Sequence, residues 1–415
     1  MRTWITYLLL LIFWSAWPQD TARVMFYNLL EFPEAPPANR ELILKDILSP
    51  IQPDIFMVAE LQDDVGSNII LDESLNHSSN IYAAAPFVFN TSGNGGTINV
   101  MLYYNTNKFS LELTDNIQTS LRDINRYQLK AKTTLQQTNP IILECFVAHF
   151  KASQGSSNEQ IRFNMAQDFT NYLNANLSPD ANVILAGDFN FYSANESGFL
   201  QLFIGNTIIP MNDPVNQLGD WNSNSTYSAV HTQSTRTSSS AFNNFGAGGG
   251  LDDRFDIIFV SSNLLDPSNE VHYIANTYQT YGNNGNCYND NISDTSCNGP
   301  YSQTTRNLLY NMSDHLPIVM DLQLSQDFLK TNSFAFQEVF SFPEGNIADF
   351  SLALRIDSLL LDKIKSVEIY NALGQQIAFK NLTSEVTIID VTSLSNGVYY
   401  LKPQFGKVQK FIVVR

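Results

Sequence analysis

The strongest constraint on the fold is a set of seven short, apolar runs: Arg23 to Asn28, Asp54 to Glu60, Ile98 to Tyr104, Ile141 to Phe150, Asn182 to Asp188, Phe255 to Val260 and Leu316 to Leu322. Each is rich in Val, Ile or Phe and bounded by turn residues, the pattern of a β-strand. Between them, Arg40 to Leu48 and Asn158 to Leu173 repeat apolar residues at helical spacing. Strands that are apolar nearly throughout need cover on both faces. Interleaved with helices, they predict an α/β fold of two packed sheets covered by helices.

The ends of these runs are polar in a particular way. Asn28 closes Val24-Met25-Phe26-Tyr27, and Glu60 closes Ile55 to Ala59. His149 closes Cys145 to Ala148, and Asp188 and Asn190 follow Val183 to Gly187. Asp314-His315 precedes Leu316 to Leu322. Open α/β scaffolds bind ligands at strand ends. Taken singly, a strand-end Asp or Asn is an ordinary turn former, and a lone His is an ordinary structural residue. Together they predict an oxygen-rich site with acid–base groups beside it. Such oxygen donors suit Mg²⁺, Mn²⁺ or Ca²⁺ rather than Zn²⁺. There are only five His, and none has Zn-motif spacing.

With 415 residues the chain has room for two or three domains. Met1-Arg2-Thr3-Trp4, the apolar run Ile5 to Trp14 and the following Ser15-Ala16 read as a secretory signal peptide over residues 1–19. The run is too short to span a membrane, which needs about 20 apolar residues. Residues 20–325 are expected to form the catalytic domain, 326–340 a linker and 341–415 a small all-β domain. The last segment balances its charge, with nine acidic and nine basic residues from 327 onward, so the net charge of −17 sits almost wholly on the first domain. That charge argues against a broad basic surface for nucleic acid. A bound cation can still attract a phosphate ester locally. Residues 210–250, rich in Asn, Ser, Thr and Gly, read as a long loop, either functional or disordered. Cys287 and Cys297 flank a polar loop and are placed to pair in an oxidising compartment. Cys145 reads as a buried thiol.

Gly187-Asp188-Phe189-Asn190 and the distant Ser313-Asp314-His315-Leu316-Pro317-Ile318 resemble the signature pair of the endonuclease/exonuclease/phosphatase superfamily. Tyr27-Asn28, Val58-Ala59-Glu60-Leu61-Gln62, Ala148-His149-Phe150-Lys151 and Arg254-Phe255-Asp256-Ile257-Ile258 agree with its intervening blocks in order. The resemblance implies a four-layer α/β sandwich and metal-dependent phosphoester hydrolysis. It implies that Glu60 ligates the metal, with Asp314 and Asn28 completing that sphere or the shell around it. It makes His315 the general base and Asp256 its partner. Asp188 and Asn190 would orient water and phosphate, and His149 would contact the non-bridging oxygens or assist the leaving group. Leu30 stands where the abasic-site branch has an Asp, and His149 where it has a Tyr, so that branch fits less well.

Lys151, Arg162, His231 and Arg236 are candidate substrate contacts, each weighed against a structural or solvated role. The expected substrate is nucleic acid, with a sphingomyelinase- or phosphatase-like activity and a non-catalytic binding protein as the competing readings. Val367 to Gln376, Ile388 to Leu401 and Lys410 to Arg415 are similar to the type A sorting domain of type IX secretion. That resemblance implies export through bacterial outer-membrane machinery, to the medium or the cell surface; the chain is separately expected to be a monomer.

Overall fold

The computed structural model describes residues 20–93, 96, 98–329, 339–356, 364–404 and 407–415, so the expected signal peptide and most of the expected linker lie outside the described residues. The chain divides into two units, Met1–Leu329 and Lys330–Arg415.

The first unit begins with β1 (Thr21–Phe32), α1 (Arg40–Ile51), β2 (Ile55–Leu61), α2 (Asp64–Ile69), β3 (Tyr82–Ala84) and β4 (Asn99–Asn105). It continues with β5 (Phe109–Ile117), β6 (Ile124–Ala131), β7 (Ile142–His149), α3 (Ser156–Asn176), β8 (Val183–Asp188) and α4 (Ser197–Ile204). After β9 (Met211–Asn212) come β10 (Asp256–Ser261), α5 (Ser262–Leu265), β11 (Val271–Tyr273), β12 (Gln279–Thr280), α6 (Gln303–Met312) and β13 (Ile318–Leu324).

One sheet has the order β11-β13-β1-β2-β4-β3, with β12 also on β13; the other has the order β5-β6-β7-β8-β10-β9. Each is built around a parallel pair, β1 with β2 and β7 with β8, flanked on both sides by antiparallel strands. Val147, Ile184, Ala186 and Ile258 of the second sheet share a buried cluster with Met25, Met57 and Val58 of the first. The opposite face of the second sheet buries Phe146, Leu185 and Phe259 against Met165, Phe169 and Leu173 of α3 and Phe199 of α4. On the far side of the first sheet, α1 contributes Leu44, Ile47 and Leu48, and α6 contributes Leu309 and Met312. The result is the expected four-layer α/β sandwich.

All seven expected strands are present, within a residue or two at most ends. The helical periodicities correspond to α1 and α3. The edge hairpin β5–β6, the strand β3 and the helices α2, α4 and α6 were not anticipated. β5 reads Phe-Ser-Leu-Glu-Leu-Thr-Asp-Asn-Ile and is largely exposed, so it lacks the apolar run that marked its neighbours. Cys287 and Cys297 are joined as a disulfide, and Cys145 is a buried free thiol.

In the second unit, β14 (Phe340–Ser341), β15 (Ile347–Ala348), β16 (Ser351–Ile356), β17 (Ser366–Asn371), β18 (Gln376–Asn381), β19 (Val386–Asp390), β20 (Gly397–Pro403) and β21 (Gln409–Val413) form two sheets, β14-β16-β19 and β15-β21-β20-β17-β18. Leu354, Val367, Ile369, Leu401, Phe411 and Val413 fill the space between them, giving a small β-sandwich.

Candidate active site

Topology brings the polar strand ends together. β1 and β2 run parallel and finish at one edge with Asn28 and Glu60. β7 and β8 do the same in the other sheet, with His149 opposite Asp188. β10 is antiparallel to β8 and opens with Asp256 opposite Asp188. β13 is antiparallel to β1, so Asp314 and His315, just before it, return to the same edge. Backbone details aim these side chains. A Cβ on Gly187 would lie 2.3 Å from the Ala148 carbonyl oxygen, so a glycine is needed for β7 and β8 to approach this closely. The β2–β4 register slips between Val58 and Leu61, and Glu60 there adopts a left-handed φ of 59°. A bulge of this kind turns a side chain out of the strand's alternation.

Asn28 organises the centre. Its Nδ2 donates to Glu60 Oε1 and to Asp188 Oδ2, both at 3.0 Å, and lies 3.4 Å from His315 Nε2. Its Oδ1 is taken by the backbone N–H of Leu30. Asn28 therefore presents a donor to two carboxylates, while its oxygen accepts from the backbone. The N–H of Glu31 holds Glu60 Oε2, and Asn190 donates twice to Asp188 Oδ1. His149 Nε2 lies 3.5 Å from Asp188 Oδ2 and 3.9 Å from Glu60 Oε1. His315 Nδ1 meets Asp256 Oδ2 at 2.6 Å, within hydrogen-bond reach for a base and its partner.

Two residues at this edge had not been singled out. Gln233 donates its Nε2 to Asp314 Oδ2 at 3.0 Å and faces His315 Nε2 at 2.7 Å. With the amide N–H turned to it, the second contact is a hydrogen bond to a neutral ring that carries its lone pair on Nε2; a protonated ring would take the amide oxygen instead. Gln233 comes from the polar loop, whose only signal was its composition. Arg122 donates to the carbonyls of His149 and Phe150 from behind the site.

Burial and neighbouring charges shift the ionisation of this cluster. Asp188 is pushed up to about 7, by burial first and then by Asp256 and Glu60 against the opposing His315 and Asn28. Burial, then Asp314, also raises Glu60. Burial drives His149 well below its ordinary value, reinforced by Arg122 and His315. For His315 burial disfavours the cation, but Asp256, Asp314 and Asp188 outweigh it and hold the imidazole well above its ordinary value.

The donor set fits a divalent metal. Glu60, His149 and Asp188 offer ligand atoms within 4.8 Å of one another, and so do Asp188, Asp256 and His315. Asp314 Oδ1, Asp256 Oδ1 and His149 Nδ1 are buried with no hydrogen-bond partner among the described residues. Asp314 stands beside these groups rather than in them, held by Gln233 and the N–H of Ala247. Clustered carboxylates at the cost of raised pKa values are what a cation would relieve.

Three expected substrate contacts turn out to be internal supports, because Arg162, His231 and Arg236 are all 0 % exposed. Arg162 pairs with Glu196 at 2.8 Å and donates to the carbonyls of Lys151 and Ser153, bracing the loop that follows His149. His231 Nε2 is 2.8 Å from the Trp221 carbonyl. Arg236 donates to the Tyr310 carbonyl and stacks 3.4 Å from the Phe242 ring centroid. Lys151 is half-buried, with its Nζ donating to the Ala152 carbonyl.

The profile of the Endonuclease/Exonuclease/phosphatase family matches residues 25–315, and that of the Secretion system C-terminal sorting domain matches residues 348–414. None of the curated proteins matches the chain. Among solved structures, it is similar to D. rerio TDP2 complexed with single strand DNA product, at 16% identity and TM-score 0.47, covering 73% of this chain and 99% of that one. The human Nocturnin catalytic domain with bound sulfate is similar at 15% identity and TM-score 0.45, with 74% and 97% covered. A mannosyl-6-phosphatase of Bacteroides thetaiotaomicron is similar at 15% identity and TM-score 0.42, with 72% and 99% covered. At these values none of the three bears on what this chain acts on.

Proposed function

We propose that this chain, which belongs to the endonuclease/exonuclease/phosphatase family and carries a C-terminal sorting domain, is a secreted nuclease that hydrolyses phosphodiesters with a divalent cation, Mg²⁺ foremost. The observation that carries the reading is the His315–Asp256 contact of 2.6 Å, set beside carboxylates that share one Asn28 amide.

In this reading His315 Nε2, once the Gln233 amide that faces it at 2.7 Å gives way to the attacking water, accepts that water's proton while Asp256 balances the imidazolium that forms. The water oxygen bonds to phosphorus and the bond to the leaving oxygen breaks. Asp188, fixed by Asn28 and Asn190, orients the water. His149, neutral through burial, donates a hydrogen bond to a phosphate oxygen rather than a proton. Glu60 and Asp188 would hold the cation, with Asp314 beside them. When bound, it would supply positive charge to the non-bridging oxygens and the leaving oxygen. Removal of residues 1–19 on export belongs to the same proposal.

The test is a Mg²⁺ hydrolysis panel of plasmid DNA, RNA, sphingomyelin and bis-p-nitrophenyl phosphate. Cleavage of the nucleic acids that stops with excess EDTA is the expected result. Turnover of sphingomyelin alone would replace the nuclease reading, and full activity in EDTA would end the metal mechanism.

A further inference from the structure

We infer that the loop between β3 and β4 carries a nucleobase-stacking platform, Phe89 supported by Phe87, on the rim of the active site; the inference rests on the nuclease reading. Phe89 is 58 % exposed, next to Val88 at 36 %. Phe87 packs on the core of the first sheet, and the two rings meet edge to face with centroids 5.0 Å apart. One phenyl ring is thus anchored and holds the other out in water.

The loop is tied down at the catalytic edge. The N–H of Asn90 donates to Asn99 Oδ1 at 2.8 Å, and Asn99 Nδ2 donates to the carbonyls of Leu61 and Gln62, which directly follow Glu60. Asn90 Oδ1 accepts from the N–H of Asp123 at 2.8 Å, and Asp123 accepts from Thr91 and Ser92. Asn99 and Asp123 belong to the two different sheets' ends and are both buried. Val88 and Asn90 share a small cleft with Arg122, whose guanidinium reaches the carbonyl of His149. Hydrogen bonds thus connect the loop to the residues that follow Glu60 on one side, and a shared cleft brings it to Arg122, which reaches His149, on the other.

A fixed ring costs less to stack on than a mobile one, since its freedom is already lost. The charge of the chain makes this the useful kind of contact. At a net −17 the protein lacks the lysines and arginines that neutralise phosphates over a broad surface. Stacking needs no charge and tolerates any base, because each has a π-face. A lipid surface is the poorer occupant. Asn90, Thr91 and Ser92 follow Phe89 in sequence, and one exposed ring beside Val88 is a small area to insert.

The experiment compares the full chain with Phe89→Ala and Phe89→Trp in Mg²⁺. Substrates are a short single-stranded oligonucleotide, a base-free oligomer of the same length made of tetrahydrofuran phosphates, and sphingomyelin vesicles. Stacking predicts that Phe89→Ala raises KM for the base-bearing oligomer roughly 5- to 150-fold. It leaves KM for the base-free oligomer unchanged, and Phe89→Trp restores the first value. Equal effects on both oligomers, or none, would overturn the platform while leaving the nuclease reading intact. A loss confined to vesicles would overturn it in favour of membrane contact. A parent protein that cleaves neither oligomer would defeat the nuclease reading itself, and the platform with it.

Discussion

Replacing Asp256 with Asn separates the charge of the base's partner from its geometry. Asp256 is fully buried, and its Oδ2 is 2.6 Å from His315 Nδ1. Asn at this position could accept from Nδ1–H through its oxygen, or donate to Nδ1 and force the proton onto Nε2. The second arrangement would disable the base. Gln233 favours the first, because its amide N–H, in the orientation that also donates to Asp314, faces Nε2 at 2.7 Å and pairs with a lone pair there. The ring should keep its tautomer, and only the charge should be lost. Hydrogen bonds to charged groups contribute about 1.5–3 kcal/mol against about 1 for neutral ones. With some further loss from the developing imidazolium, the plateau of kcat/KM should fall roughly 10- to 100-fold. The pH profile should move as well. Asp256 is the first of the carboxylates that hold His315 above its ordinary value. Removing its charge lowers that pKa, and a base must be unprotonated, so the acid limb should shift to lower pH. The assay is kcat/KM against pH for parent and variant at equal Mg²⁺, so that the cation's own field is common to both. An acid limb that stays put or moves up would refute the assignment of His315 as base. A fall of about 10⁴, the size seen when a catalytic imidazole is held in the wrong tautomer, would refute the part given to Gln233.

His315→Ala should cost at least about 10²-fold in turnover with the fold retained, judged by circular dichroism beside the activity assay. Glu60→Gln should weaken Mg²⁺ binding in a calorimetric titration and lower turnover steeply, because it removes one charge from the Glu60–His149–Asp188 group. Arg162→Ala leaves Glu196 buried and unpaired, so denaturant titration should show a loss of about 3–5 kcal/mol. A chain ending at Leu329, the boundary of the first unit, should fold and retain its activity; failure to fold would show that the second unit is needed for more than sorting.

How far the sequence could be read depended on which physical signal each residue leaves. Asn28, Glu60, His149 and Asp188 stand at the ends of apolar runs, and the parallel pairing of those runs is enough to collect them at one edge. His315 stands just before such a run, and Asp256 is reached through the family resemblance; both return to the edge because an antiparallel neighbour starts where a parallel one stops. Arg162, His231 and Arg236 defeated that logic. Nothing in composition distinguishes an arginine that faces solvent from one whose guanidinium caps carbonyls inside the protein, as Arg162 does with Lys151 and Ser153. The edge hairpin β5–β6 left no run of Val and Ile because β5 is covered on so little of its length.

The polar loop shows why Gln233 escaped. Thr232-Gln233-Ser234-Thr235 has the composition of a solvated segment, yet Thr232, Ser234 and Thr235 are buried. Burial is tolerable because the backbone pairs on both sides. The Thr232 N–H donates to the Asp253 carbonyl, the Leu316 N–H to the Thr232 carbonyl and the Thr235 N–H to the Asp314 carbonyl. The loop thus behaves as an extra strand wedged between the start of β10 and the residues before β13. That wedge delivers the Gln233 amide to Asp314 and His315 together. A neutral amide meets the imidazole lone pair without adding another carboxylate to a cluster already crowded with them.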